Sequence, residues 1–106
     1  MLMKAVTVGG GGGVTMIKND SATIDASGKV TIPNVSGKVV GAVLRYTVSG
    51  YDAVVAFSTE TSWYTLSASS NWVEDSAHKI TQSGTTATIA TSTTNTTAKL
   101  VYYVQG

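Results

Sequence analysis

Five glycines in a row, Gly9, Gly10, Gly11, Gly12 and Gly13, are the first residues in this chain whose type could do chemistry. Bare backbone amides can cradle a phosphate, but a phosphate loop also needs a Lys followed by Ser or Thr and a helix to receive the anion. Here the run continues into Val14 and Thr15, the nearest lysine after it is Lys18, and no helical periodicity follows. A dinucleotide fingerprint fails for the same reason. Two readings remain: a loop between two strands, or a flexible tether, since glycine chains behave as loose coil. The tether is the reading adopted. It makes residues 1–8 an arm that adds to a neighbour's sheet edge; the alternative makes them a first strand, hairpinned to residues 14–18.

His78 is the sole histidine, close in sequence to Glu74, Asp75 and Ser76. A zinc site recruits three or four ligands, and a Ser-His-acid arrangement needs a positioned serine and an oxyanion hole. Neither is visible, so the segment reads as a polar turn with no catalytic or metal role. Asp20 and Asp25 lack the spacing and closing Glu of an EF-hand loop and read as solvated turn residues. No cofactor is expected.

The aromatic residues carry more. Trp63 and Tyr64 are adjacent, as are Tyr102 and Tyr103, so in strands the members of each pair face opposite sides and at most one of each is core. Trp63, Trp72 and Tyr103 form the candidate binding patch. Packing under a loop or against another subunit is the preferred reading over a sugar-stacking platform, because no acidic or amide side chains cluster beside these rings.

The elements that must position these residues are strands. Apolar and polar residues alternate almost everywhere, and turn residues recur at roughly ten-residue spacing. Residues 22–32 read as a hairpin around Asp25 to Gly28, with Ile24, Val30 and Ile32 on one face. In the longest strand Val40, Ala42, Leu44, Tyr46 and Val48 share a face; the other is also apolar, which makes the strand central, with Gly41 a bulge candidate. Ser49-Gly50 and residues 82–85 read as turns. Only residues 73–79 carry any helical pattern. The fold class is therefore all-β: an antiparallel β-sandwich or small barrel of about 8 strands, Ig-like or jelly-roll-like. Residues 14–106 form a single domain after the 9–13 linker.

Composition narrows the partners. The 106 residues hold 12% charged residues and a net charge of +1, where soluble domains average about 25% charged. With the basic residues spread singly, nothing offers a phosphate-backbone footprint. Nucleic acid is not an expected partner. No apolar run approaches the ~18 residues needed to cross a bilayer, so no membrane partner is expected either. There is no cysteine. No secretory signal is visible at the N-terminus, although the Thr/Ser-rich, charge-poor surface suits a protein that works outside a cell.

Two stretches, "MLMKAVTVGGGGG" and "SGTTATIATSTTNTTAKLVYYVQ", together with the composition, give the chain a style that resembles small accessory virion proteins of tailed bacteriophages, such as decoration and head-fibre proteins. The resemblance implies a non-catalytic structural or assembly protein made in the host cytoplasm and located in the virion. Its partners would be the capsid or tail surface and itself, as a homo-oligomer for which a trimer is one form. The alternative is a carbohydrate- or cell-surface-binding module that uses the exposed aromatics to hold a glycan.

Overall fold

Strands dominate because β-branched and aromatic residues recur with a period of two, and each apolar set needs a second layer to cover it. The computed structural model describes residues 4–7 and 13–106. Among these, ten strands follow in chain order: β1 (Lys4–Thr7), β2 (Gly13–Ile24), β3 (Lys29–Ile32), β4 (Lys38–Val48), β5 (Tyr51–Phe57), β6 (Ser62–Leu66), β7 (Val73–Asp75), β8 (Ile80–Ser83), β9 (Thr86–Ala90) and β10 (Thr96–Gln105). They build a seven-stranded sheet, β1-β2-β10-β4-β5-β6-β7, and a three-stranded sheet, β3-β9-β8. Every pairing is antiparallel. The all-β sandwich expected from the alternation is the observed fold, with more strands than the alternation resolved. Among the described residues no helix is long and apolar enough to cross a membrane.

The core lies between the sheets. Ala22, Ile24, Leu44, Val55, Phe57 and Leu100 from the large sheet meet Val30, Ile32, Ile80, Ala87 and Ile89 from the small one, all buried. Two bulges set which residues reach it. In β2 the register against β10 slips between Ala98 and Leu100, so residues 19 and 22 rather than 20 and 22 flank the irregularity. Asn19 supports the bend by accepting the Ser21 N–H at 3.0 Å. This irregularity lets one twelve-residue strand absorb what reads in the sequence as two segments. In β4 the register jumps from Gly41 to Val39, leaving Val40 as the extra residue. Val39 is therefore core while Val40 is not, which corrects the alternation read from the sequence: the bulge sits beside Gly41 and shifts the parity before it.

The β4–β5 connection is a two-residue turn, Ser49 (φ 51°) and Gly50 (φ 81°), closed by the Val48–Tyr51 pair. Positive φ at both positions matches the strand twist. The turn at residues 25–28 behaves differently from expectation. It carries the chain from β2 in the large sheet to β3 in the small one, so Ile24, Val30 and Ile32 share the core without sharing a ladder.

The two sheets are latched at one end by Gln82. It lies on the same side of β8 as Ile80 and reaches the start of β4. Its Oε1 accepts the Val39 N–H at 2.9 Å, and its Nε2 donates to the Gly37 carbonyl at 2.7 Å. The β4–β5 ladder ends at Ala42, so Val39 has no partner on β5. Gly37 also lets the end of β10 pass close by, because a Cβ there would collide with the Gln105 carbonyl.

Residues 73–79 are not helical. Val73–Asp75 extends along β6 as an edge strand, in register Ser62–Asp75, Trp63–Glu74 and Tyr64–Val73, and a turn follows. The open edge of β6 offers that segment backbone partners, and three ladder pairs outweigh a helix too short to sustain itself. At the other edge, Lys4–Thr7 pairs with β2 in register Lys4–Met16 to Thr7–Gly13. Within the expected arm or first strand of residues 1–8, only residues 4–7 are described, and they pair in the chain's own sheet. Of the expected glycine linker, Gly13 opens β2, whereas Gly9, Gly10, Gly11 and Gly12 lie outside the described residues.

Candidate functional site

Paired residues on neighbouring strands point to the same side of a sheet. On the side of the large sheet away from the core, the ladder therefore aligns Lys18 (β2), Val101 (β10), Val43 (β4), Ala56 (β5), Trp63 (β6) and Glu74 (β7) in one row. The next row toward the β10 C-terminus holds Met16, Tyr103 and Gly41. In the opposite direction Lys99, Arg45, Val54 and Thr65 follow. Val43, Val54, Ala56, Val101 and Tyr103 are half-buried by one another, and the contacts between the sheets run on the other face, from β2 to β3 and from β4 to β8. The result is an apolar centre with Lys18 at one end of its row and Glu74 at the other.

Of the expected aromatic patch, Trp63 and Tyr103 share this side, and the three residues do not form one cluster. Trp63 is 42% exposed and sits opposite Glu74. Trp72, 53% exposed, lies two residues before Glu74 in the chain, at the same edge. Tyr103 is three strands away from Trp63, and its ring lies over Gly41, with Cδ2 3.7 Å from where a Gly41 Cβ would stand. The parity argument holds for Trp63 and Tyr64, yet neither is core. The sequence also placed no acidic group beside these rings. The β6–β7 ladder places one: Glu74 stands beside Trp63.

On the core side the small sheet is too narrow to cover the large one. The inner face of β5 and β6 overhangs it, and a groove of about 420 Å³ opens there, floored by Val55 and Phe57 and bordered by Tyr64, Leu66, Asp75, His78 and residues 91–93. Asp75 Oδ2 bonds His78 Nδ1, and both side chains are 32% exposed. Asp75 Oδ1 also accepts the Ala77 N–H at 2.9 Å. The bond from His78, then that amide, hold the Asp75 carboxyl below its usual range. With Nδ1 engaged by Asp75, Nε2 is the ring nitrogen left without that bond. Ser62, 2% exposed, donates its hydroxyl to the Asp75 backbone carbonyl at 3.2 Å. That hydroxyl is thus committed to holding β7 against β6.

Adjacency in the sequence suggested the Asp75–His78 pair, but nothing in it linked them to Ser62 or Tyr64, which arrive through the ladder. Glu74 points to the other side of the sheet. Asp20 and Asp25 stay in separate settings. Asp20 lies 3.6 Å from Lys18 Nζ on β2. Asp25 caps its turn by accepting the Lys29 and Ser27 amides, which hold its carboxyl low. Among the described residues no three His, Cys, Asp or Glu side chains gather as a metal site. Set against known proteins, the chain matches no family model, no curated protein and no solved structure.

Proposed function

We propose that this chain is a structural or assembly protein of a phage virion, which self-associates through the outer face of its seven-stranded sheet and binds the capsid or tail surface. The observation that carries this reading is the row Lys18–Val101–Val43–Ala56–Trp63–Glu74 across that face. Few charges need to be desolvated to bury it, which lowers the cost of assembly.

The row also suits a second copy. Rotation by 180° about an axis parallel to the strands, between β4 and β5, sets β4 against β5, β10 against β6 and β2 against β7 of the other chain. Val43 then faces Ala56, Val101 faces Trp63, and Lys18 faces Glu74. The opposite charges close both ends of a contact about 24 Å wide, at ~4.8 Å per strand. Such pairing is isologous and closes at two copies rather than three.

Light scattering of the purified protein should give a dimer that Val43→Glu dissociates, and electron microscopy should show the protein decorating capsids. A monomer at high concentration that leaves capsids bare contradicts the proposal. A second reading is favoured by one observation: Glu74 beside Trp63, with Trp72 at the same edge, is the aromatic-plus-acid pattern of a glycan-stacking surface. Binding to a glycan array that is lost in Trp72→Ala, in a protein that stays monomeric, selects it.

A further inference from the structure

We propose that the groove beneath β5 and β6 is a binding pocket for a small, neutral, ring-bearing molecule that carries a hydroxyl group, with His78 as the partner of its hydrogen bond. The inference is independent of the outer face. At about 420 Å³ the groove falls within the size range of small-molecule sites. Its floor is already formed, because Val55 and Phe57 are buried, while Tyr64 and Leu66 stay open at the side. Tyr64 thereby supplies an aromatic face and Leu66 and Val48 supply apolar walls, the surroundings a ring prefers.

Polar groups at the border choose among rings. The bond to Asp75 occupies His78 Nδ1, so Nε2 is the nitrogen left for a ligand, and a hydroxyl, which both donates and accepts, can bond it. No Lys or Arg lines the groove, and Asp75 brings a negative charge, which disfavours an anion. A neutral alcohol or phenol satisfies both conditions. The phenol could come from a free molecule or from a tyrosine of a partner protein; the chemistry is the same, and competition separates them.

The probe is 2-naphthol, neutral at pH 7, titrated into the full chain and followed by amide chemical shifts, with 2-naphthoate as its anionic counterpart. Saturable one-to-one binding is expected, with shifts at Tyr64, Leu66 and His78, and at least tenfold weaker binding of 2-naphthoate. His78→Ala should weaken 2-naphthol at least fivefold. Leu66→Gln, which leaves the histidine intact, should weaken it as well and covers the case in which the first variant melts early. Tyrosinamide competing with 2-naphthol points to a protein source of the phenol, and its failure to compete points to a free molecule. Non-saturable binding, equal binding of 2-naphthoate, shifts centred on Trp63 and Tyr103, or unchanged affinity in both folded variants overturns the proposal.

Discussion

Replacing Gln82 with alanine removes both ends of the latch between the sheets. The Val39 N–H loses its acceptor at 2.9 Å, on a residue that is 0% exposed. A buried donor left unpaired costs about 1–3 kcal/mol. The Gly37 carbonyl, which accepts from Nε2 at 2.7 Å, is half-buried and can turn to solvent, so its share is small. About 2 kcal/mol is the expected total, or a fall in melting temperature of roughly 10 °C for a domain of this size. Thermal unfolding by circular dichroism reads it, and urea unfolding should show a lower midpoint with an unchanged slope. Gln82→Met fills nearly the same volume without an acceptor and should cost about as much. Amide exchange at Val39 should quicken in both variants. A methionine variant as stable as the native protein would show that Gln82 acts by packing, and the reasoning would fail.

Leu44→Ala, at the centre of the core, should cost about 2–5 kcal/mol, read from the same unfolding curves. Ser49→Asn should raise the melting temperature by a few degrees, because asparagine tolerates the positive φ of this turn better than serine does. Asp75 and Asp25 have folded-state pKa values below the ordinary 3.8. Their contribution is thus complete above that pH and is lost as the pH falls through the folded-state values. Melting temperature should drop below about pH 4, and Asp25→Asn with Asp75→Asn should flatten that drop; an equally steep drop in the double variant refutes the assignment.

The strands were legible in the sequence because period-two alternation is local, and Ser49-Gly50 announced its turn through residue type. The bulges were not. A one-residue slip at Val40 or in β2 depends on which neighbour a strand finds, and only the ladder against β10 decides that. The same holds for β7, where the pattern of residues 73–79 was weighed without the β6 edge that captures it. The turn at residues 25–28 was correctly placed, but its crossing between sheets is a tertiary choice. Both apolar faces of β4 were visible and explained by a central strand. That explanation is half complete, since the strand is central within its sheet while one of its faces stays uncovered. The opposition of Lys18 to Glu74 across six strands spans 56 residues of chain, beyond any local pattern.

Charge reversal at the ends of that row tests the proposed assembly most directly. Lys18→Glu would set like charges together at both ends of the two-fold contact. At roughly 0.5 kcal/mol of attraction lost and 0.5 gained in repulsion per end, dimerisation should weaken by about 2 kcal/mol, near thirtyfold. Glu74→Lys should do the same, and the double variant Lys18→Glu with Glu74→Lys should return close to the native dissociation constant in sedimentation equilibrium at low salt. Recovery in the double variant is the predicted result; a double variant as weak as the sum of its parts, or single variants that dimerise like the native chain, would contradict the account.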